Sequence, residues 1–547
     1  MLAAGTNGSI QLMGDPAAIA RAYHQRTQHT LQAYAKGPEA LDWSEQPDPF
    51  RSFNGAACIS LPLLDKDHPS PPFADLFRPA GNVPSQLNLE HIAALLELSL
   101  GISAWKSYMG DRWALRCNPS SGNLHPTEGY VVASGIGDLT DGVYHYRPDE
   151  HLLEQRSCID FGNSDPRLII GLSSIFWREG WKYGERAYRY CQLDIGHAIA
   201  AFSYAAASLG WQVNLLDQHS DASVARLLGL DQPDSFTGAE PEAPEMLFEI
   251  STRPATADIP DAWFELAAQS IWQGIANRID PHPYGNWPLI KEVTEATTKH
   301  QTKPMRKPQP STPRLFTPAS TVTSTLIRQR RSAQHFDPRP MLPLDGFFRL
   351  LDATLQLPGL PPWPVNSDLP HTHLVLFVHR VEGLRQGLYA LPRSDSGLKL
   401  MQQEMRNQFL WQKTDLAPEA LPLYMLLNAD SRNAARTLSC KQNIAGTAAF
   451  TVAMLGEFNA MLDDDANGYR QLFMEAGLIG QALYLEAESI GFRGTGIGCY
   501  FDEPVHETLG LESAQLQSIY HFTVGTPLSD DRIETLPAYD HLKMRKV

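Results

Sequence analysis

The sequence contains an internal duplication, and this constrains the fold more than any other feature. Apolar residues spaced by three and four positions mark one helix face over 195–209, and Gly210 follows as a residue that ends helices. The same spacing returns 281 positions later over 476–490, with Gly491 behind it. Each half is therefore expected to contain one long buried helix followed by a glycine turn.

Further matched residues support the duplication. Gly229 and Gly510, each within a Leu-Gly-Leu sequence, are also 281 positions apart. Earlier in the halves, Gly142-Val143-Tyr144 and Gly387-Leu388-Tyr389 share an offset of 245, as do Pro119 and Pro364. Constant offsets at several glycines favour two copies of one domain over a coincidence of helix phase.

The composition along the chain predicts where these copies begin and end. Residues 291–314 are polar, Pro-rich and almost free of large apolar side chains, which is typical of a linker. We therefore expect an N-terminal arm over 1–80, a first domain over 81–290 and a second over 315–547. A chain of 547 residues has room for two to four domains.

Short β-like runs lie around the predicted helices. They do not alternate with helices in a strict βαβ rhythm, so we predict an α+β fold in each half. The runs are Tyr130–Ala133, Met246–Ile250, Leu374–His379, Leu423–Leu427 and Phe522–Val524.

Charge and cysteine content limit the partners and the compartment. The 61 acidic and 45 basic residues give a formal net charge of −16, which disfavours nucleic acid and anionic membranes as partners. With neither an apolar run of membrane-spanning length nor a signal-peptide pattern, we expect a cytoplasmic protein. The six cysteines form no Cys-x-x-Cys pair and predict no disulfide framework, and Cys499 is interpreted as a small buried residue rather than a redox centre. No histidine spacing predicts a metal site.

Two segments of the second half have residues suited to binding a cofactor. Arg330-Arg331-Ser332 offers two guanidiniums and a hydroxyl that can bind a phosphate, although a solvated basic turn is the better explanation when these residues are taken alone. Gly494-Thr495-Gly496-Ile497-Gly498 would let the backbone approach a flat or anionic ligand, and alone it also fits a tight helix-to-strand connection. It has neither the Walker nor the Rossmann spacing.

A third segment, Asn118 to Pro126, belongs to the first half and reads Asn-Pro-Ser-Ser-Gly-Asn-Leu-His-Pro. Its hydroxyls and amides on a bent loop suit hydrogen bonding to a polar ring edge, whereas turn chemistry alone is the simpler alternative.

Together the three segments resemble the FMN-binding elements of the nitroreductase superfamily. The resemblance covers most of both halves and implies a mostly antiparallel sheet flanked by helices. It also implies a homodimer with FMN at the interface, where one subunit supplies the arginine and glycine elements and the other the serine loop. The cofactor-binding residues it implies are Pro119, Ser120, Ser121, Asn123, Arg330, Arg331, Ser332, Gly494, Gly496, Ile497 and Gly498.

This chain divides the elements in the same way, since each is intact in one half only. The duplicate of the serine loop is Pro364-Val365-Asn366-Ser367-Asp368, and the duplicate of the glycine segment is Val213-Asn214-Leu215-Leu216-Asp217. No Arg-Arg-Ser precedes Leu87 in the first half. We therefore expect an intramolecular pseudo-dimer with one intact composite FMN site, and leave further oligomerisation open.

The segment from Trp181 to Tyr190 and the lead-in Leu41–Pro47 are similar to the SagB/ThcOx-type branch, whose members dehydrogenate thiazoline and oxazoline rings in peptides. That resemblance implies that Lys182 and Tyr183 perform the proton transfer. A lysine that is partly desolvated and close to Arg186 and Arg189 would have a lowered pKa, as a base requires. Judged on chemistry alone, Lys182 is better interpreted as a solvated surface lysine and Tyr183 as a core residue, and the resemblance is what favours the catalytic interpretation.

Comparison of this segment with its duplicate distinguishes residues that are retained in both halves from residues that differ. Tyr469-Arg470 repeat Tyr188-Arg189, and we interpret that retained pair as structural. Asp463-Asp464 stand in the places of Lys182-Tyr183, so the halves differ there in acid–base character.

Two other functions remain open at this point. One is a nitro- or quinone-reductase that takes electrons from NAD(P)H and acts on a small molecule. The other is a non-catalytic flavin-binding or scaffold subunit of a peptide-modification complex.

Overall fold

Two buried helices of equal length occupy corresponding places in the two halves of the computed structural model. Helix α4 (Ala187–Ser208) and helix α14 (Gly468–Ser489) have 22 residues each. Gly210 and Gly491 follow them with φ angles of 72° and 77°, a left-handed conformation that suits glycine at the end of a helix. The helix prediction is therefore confirmed in both halves.

The structure describes residues 14–543 except 66–69, 79–83, 163–164, 253–257, 284, 301–312 and 364–369. The other helices of the first half and its arm are α1 (Pro16–Arg26), α2 (Leu89–Ser99), α3 (Phe176–Tyr183), α5 (Asp221–Leu228), α6 (Asp261–Gln269) and α7 (Pro288–Ala296). Those of the second half are α8 (Thr323–Gln329), α9 (Leu344–Thr354), α10 (Asp395–Glu404), α11 (Arg432–Leu438), α12 (Asn443–Thr447), α13 (Phe458–Asp464), α15 (Asp502–Leu509) and α16 (Asp540–Lys543).

Strands accompany the helices in both halves. The first half has β1 (Phe53–Asn54), β2 (Ala57–Ser60), β3 (Ile102–Tyr108), β4 (Asp111–Arg116), β5 (Thr127–Ser134), β6 (Gly142–Arg147), β7 (Leu152–Cys158), β8 (Arg167–Ser174), β9 (Gln212–Leu215), β10 (Ala243–Ser251) and β11 (Ile275–Ala276). The second has β12 (His335–Asp337), β13 (Thr372–Val378), β14 (Gly387–Leu391), β15 (Gln412–Lys413), β16 (Tyr424–Asn428), β17 (Phe450–Glu457), β18 (Arg493–Ile497), β19 (Leu516–Leu528) and β20 (Glu534–Leu536).

Each half builds its own antiparallel sheet. The first sheet has the order β2-β7-β6-β5-β8-β10-β9, and the second has β12-β19-β17-β13-β14-β16-β15, with β18 paired to β19. The five predicted runs fall in β5, β10, β13, β16 and β19. Helices flank both sheets, and the predicted α+β fold with two similar domains is confirmed.

The two halves meet along α4 and α14, at a pair of glycines. A Cβ on Gly196 would lie 2.0 Å from the carbonyl oxygen of Met474, and one on Gly477 would lie 2.2 Å from that of Leu193. Gly196 and Gly477 are themselves 281 positions apart, so equivalent points of the two helices touch each other.

The ion pairs beside this crossing are exchanged between the halves. Arg189 of α4 pairs with Asp502 of α15 at 2.9 Å, and its duplicate Arg470 of α14 pairs with Asp221 of α5 at 2.6 Å. Such reciprocal contacts are expected at a two-fold interface, where each partner uses the same patch. The chain therefore fits an internal pseudo-dimer, and the retained arginine lies in its interface as the structural interpretation requires.

The terminal segments break this symmetry. Strand β20, close to the C-terminus, pairs with β3 of the first half, so the second half reaches across the interface. Helix α1 packs against α7 and α13, and α7 occupies the start of the predicted linker. Within the described ranges, no helix is both long and apolar enough to cross a membrane.

Candidate functional site

A cavity of about 710 Å³ lies between the halves, within the range of small-molecule sites. All three predicted segments line it, together with Tyr183. Most of the predicted site residues line the cavity, whereas Lys182 and Gly494 do not. The predicted residues in its wall are Pro119, Ser120, Ser121, Asn123, Tyr183, Arg330, Arg331, Ser332, Gly496, Ile497 and Gly498. Residues more than 200 positions apart in sequence are thus brought together.

The serine loop is held in place by the protein's own groups. Asp194 of α4 accepts hydrogen bonds from the backbone N–H of Ser121 at 3.1 Å and from its hydroxyl at 3.1 Å. The Asn123 amide donates to the carbonyl oxygen of Ala114 at 2.9 Å, and its oxygen lies 3.0 Å from Nε2 of His125. Both ends of the Asn123 amide therefore have partners within the protein, although the residue lines the cavity.

Arg330-Arg331-Ser332 follows α8 and is not a solvated turn. The buried Arg330 guanidinium lies 5.0 Å from the ring centre of Tyr484, whose hydroxyl is 2.8 Å from that of Ser332. Arg331 donates to the hydroxyl and the carbonyl oxygen of Ser103, at 3.2 and 3.1 Å. The segment thus joins the second half to β3 as well as lining the cavity.

Three cations face one region of the cavity wall, and two of them were missed by sequence reasoning. These cations are Arg331, Lys106 of β3 and Arg493 of β18. Burial lowers the pKa of Lys106 most, and electrostatic repulsion from the two arginines lowers it further. Burial and Arg330 lower the pKa of Arg331 to about 10. Cations that destabilise one another in this way mark a place for an anion. Arg493 adjoins the glycine segment, which was a usable sequence signal, whereas nothing in the sequence relates Lys106 to it.

The glycine segment forms the strand β18 and not a free loop. A Cβ on Gly496 would lie 1.9 Å from the hydroxyl of Tyr520, and one on Gly498 would lie 2.3 Å from the ring of Tyr190. Aromatic side chains thus fill the space that side chains on the strand would need. Because of this packing, only glycine lets the backbone lie against these rings, and backbone and rings both line the cavity.

Lys182 and Tyr183 end helix α3, and their polar ends meet at the serine loop. A Cβ on Gly122 would lie 2.5 Å from Oη of Tyr183 and 3.0 Å from Nζ of Lys182. The Lys182 ammonium also lies 4.9 Å from the ring centre of Trp43, which belongs to the N-terminal arm. Burial lowers the pKa of Lys182, and the carboxyl of Glu179 acts in the opposite direction.

One of the two expected causes of that lowered pKa was wrong. Arg186 and Arg189 are not among the groups that lower the pKa of Lys182, and both pair with the buried carboxylate of Asp502, each at 2.9 Å. The other expected cause, desolvation of Lys182 by the surrounding protein, is the one that lowers it.

The expectation about Cys499 was also wrong. Cys499 lines the cavity and forms a disulfide with Cys440, 59 positions earlier in the chain. The two cysteines have no Cys-x-x-Cys spacing from which the disulfide could be predicted. They meet because the fold brings the end of α11 close to the end of β18.

The equivalent place on the other side of the pseudo-symmetry is nearly closed. Its cavity measures about 50 Å³, and Gln471 and Asp217 occupy the positions of Tyr190 and Gly498. This volume is far below that of an ordinary ligand site. The duplicate of the serine loop, Pro364 to Asp368, lies outside the described residues.

Comparisons with known proteins agree with this organisation. The nitroreductase family model matches residues 83–239 and 327–526, one stretch in each half. A solved candidate nitroreductase of Anabaena variabilis is 22% identical, with 93% of this chain and 99% of that chain covered and a TM-score of 0.66, which shows a common fold. A candidate nitroreductase of Methanocaldococcus jannaschii is 23% identical over 138 residues, which are 23% of this chain and 66% of that protein, just under two thirds of its length.

A further likeness is weak. The Escherichia coli microcin synthetase McbBCD complex, solved with truncated pro-MccB17 bound, is 20% identical over 37% of this chain and 70% of that chain, with a TM-score of 0.29. A score this low has no bearing on function. The family matches, by contrast, cover well over half of the residues, and the chain belongs to the nitroreductase family, with two domains of that family in tandem.

Proposed function

We propose that the chain is an FMN-dependent dehydrogenase of the SagB type, which oxidises thiazoline or oxazoline rings in a peptide or a related small substrate. Nitroreductases are in general FMN-dependent oxidoreductases. The observation that carries the more specific proposal is the convergence of Lys182 and Tyr183 on Gly122, at the wall of the larger cavity.

The residues of the cavity fit FMN. Lys106, Arg331 and Arg493 would hold its phosphate, and Arg493 would do so while it is paired with Glu488 at 3.3 Å. The ring would lie against the backbone of β18, where the glycines permit close approach. Oδ1 of Asn118 and Nε of Arg330 are buried in the cavity wall without a hydrogen-bond partner among the described residues, and they suit the polar edge of a ring.

The chain's own residues would manage the proton. Bound FMN supplies a hydride acceptor. Oxidation of an azoline ring also requires a base for the proton on the carbon next to the one that gives up the hydride. Tyr183 lines the cavity, and Nζ of the partly desolvated Lys182 lies 5.2 Å from the centre of its ring, so we expect a proton to pass from the ring carbon through Tyr183 to Lys182.

An azoline-containing peptide offers the direct test. Protein loaded with FMN is mixed anaerobically with the peptide, and we expect the flavin absorbance to bleach while mass spectrometry records the loss of two hydrogens. Lys182→Ala should keep its flavin and lose about 10²- to 10⁴-fold in rate, as is typical for removal of a general base. Lys399→Ala, at an exposed lysine of α10, serves as the matched control.

Two results would contradict the proposal. Rapid bleaching by NAD(P)H with none by the azoline peptide would indicate a nitro- or quinone-reductase. Failure to bind flavin even with excess FMN would indicate a non-catalytic subunit.

A further inference from the structure

Glu179 lies on the same face of α3 as Lys182 and Tyr183, one helical turn earlier, since residues three and four apart share a face. Its side chain is 0% exposed, and neither carboxyl oxygen has a hydrogen-bond partner among the described residues. A carboxylate is strongly disfavoured in such a place, so the protonated acid is the stable form.

The groups facing Glu179 come from three elements. Only Lys182 among these groups is cationic. Burial raises the pKa of Glu179 above its usual range, and the second buried carboxyl, that of Asp194, raises it further. Because burial also lowers the pKa of Lys182, the acid and the amine become closer in proton affinity. The set comprises Lys182 and Tyr183 of α3, Cys191 and Asp194 of α4, and Ser120 of the serine loop.

The second half provides an internal comparison. Ala460, Asp463 and Asp464 stand in the places of Glu179, Lys182 and Tyr183 in the half with the cavity of about 50 Å³, and all three are exposed. Glu179, Lys182 and Tyr183 are therefore all replaced in the half whose cavity is small. The interface residues Tyr188 and Arg189, by contrast, have identical duplicates in that half.

The counterpart of Asp194 differs in the same way. Glu475 occupies that position in α14, and it is neutralised by an ion pair with Arg393. The unbalanced acid cluster therefore belongs to the half that has Lys182, which points to a role beyond stability.

We propose that Glu179 acts through Lys182 as the acceptor of its proton, so that the pair rather than the lysine alone is the base. An N–H bond of the Lys182 ammonium breaks and an O–H bond forms on Glu179. No electrons are transferred: once the Lys182 side chain turns its Nζ to hydrogen-bond distance of the carboxyl, an ammonium and a carboxylate become a free amine and a neutral acid. The free amine then faces Tyr183 and the cavity. The role in substrate oxidation rests on the proposed function, whereas the proton sharing itself does not.

Infrared spectroscopy of the purified full chain tests the proton sharing directly. At neutral pH we expect a carbonyl-stretch band of a protonated carboxyl that Glu179→Gln removes. In Lys182→Met the ionised form of Glu179 loses its only cation, so the pH midpoint at which the band disappears should rise by about one to three pH units. Glu97, another buried carboxyl, whose pKa burial raises to about 7, lies outside the cavity wall and is the matched control. The band that Glu97→Gln removes should not respond to Lys182→Met.

A band that survives in Glu179→Gln, or a midpoint that Lys182→Met leaves unchanged, would overturn the inference. Should Glu179→Gln fail to fold, Lys182→Met still decides it, because Glu179 is intact in that variant. Azoline oxidation without this coupling would refute the inference and leave the proposed function standing. Coupling without flavin binding or azoline oxidation would refute the proposed function and leave the Glu179–Lys182 pair standing.

Discussion

At the residue scale, the geometry of the candidate site depends most on Gly122. Its φ angle of +61° suits glycine, and a Cβ would meet both Tyr183 and Lys182. Gly122→Ala should cost about 1–2 kcal/mol of stability from backbone strain. It should also displace both polar groups, and misplacement by about 1 Å can lower the rate of azoline oxidation about 10²-fold.

The control for this substitution separates strain from displacement. Gly491 has a φ angle of +77° with no atom within 4 Å of its would-be Cβ. Gly491→Ala should show a similar loss in the denaturant midpoint and keep the rate. Equal losses of rate in both variants would contradict the role assigned to Gly122.

Asp194 gives a prediction about pH. Burial raises its pKa to about 7, against the opposing hydrogen bonds from the serine loop. The folded protein therefore keeps this proton up to about pH 7, whereas the unfolded chain releases it near pH 4. Between these values unfolding releases a proton, so this residue makes the free energy of unfolding fall as the pH rises.

Asp194→Asn keeps an acceptor for Ser121 and removes the titration. Denaturant unfolding at several pH values should therefore show a stability difference, variant minus wild type, that grows in favour of the variant from pH 4 to 7. A difference that stays constant across this range would show that the carboxyl does not titrate as its burial requires.

At the element scale, the exchanged ion pairs join α4 to α15 and α14 to α5. Asp502 accepts from both Arg186 and Arg189, and all three side chains are buried. Asp502→Asn leaves two arginines short of a counter-charge, and breaking a buried pair costs about 3–5 kcal/mol. Asp430→Asn breaks an exposed pair with Arg432, which solvent screens, and should have a much smaller effect on stability. Chemical denaturation measures both, and equal effects would contradict the structural role of the exchanged pairs.

The sequence determines the elements more clearly than their contacts. Helix phase and glycine positions predicted α4 and α14, because 3.6-residue periodicity and left-handed glycines are local properties. The strand character of Gly494–Ile497 was missed, since pairing with β19 comes from a distant segment. Lys106 and the Cys440–Cys499 disulfide were missed because the β3–β4 hairpin and the end of α11 reach the site through tertiary contacts alone. Arg493 was missed although it adjoins the glycine segment in the sequence.

At the scale of the whole molecule, fusion of two copies has made the two cofactor places unequal. In a homodimer both places are identical by symmetry, and neither can change alone. Here each half evolves its own sequence, and the place built from Gln471 and Asp217 has shrunk to about 50 Å³ while the other measures about 710 Å³. Only the larger volume can hold a flavin.

The count of flavin per chain tests this inequality. We expect one FMN per chain by native mass spectrometry and by absorbance after denaturation. The proposed phosphate site combines Lys106 from the first half with Arg331 and Arg493 from the second, so Lys106→Ala and Arg493→Ala should each weaken binding although they lie in different domains. Arg339→Ala, at an exposed arginine paired with Asp337, should leave binding unchanged. Two FMN per chain at equal occupancy would show that the smaller place opens to accept a cofactor, and the pseudo-dimer would then have two working sites.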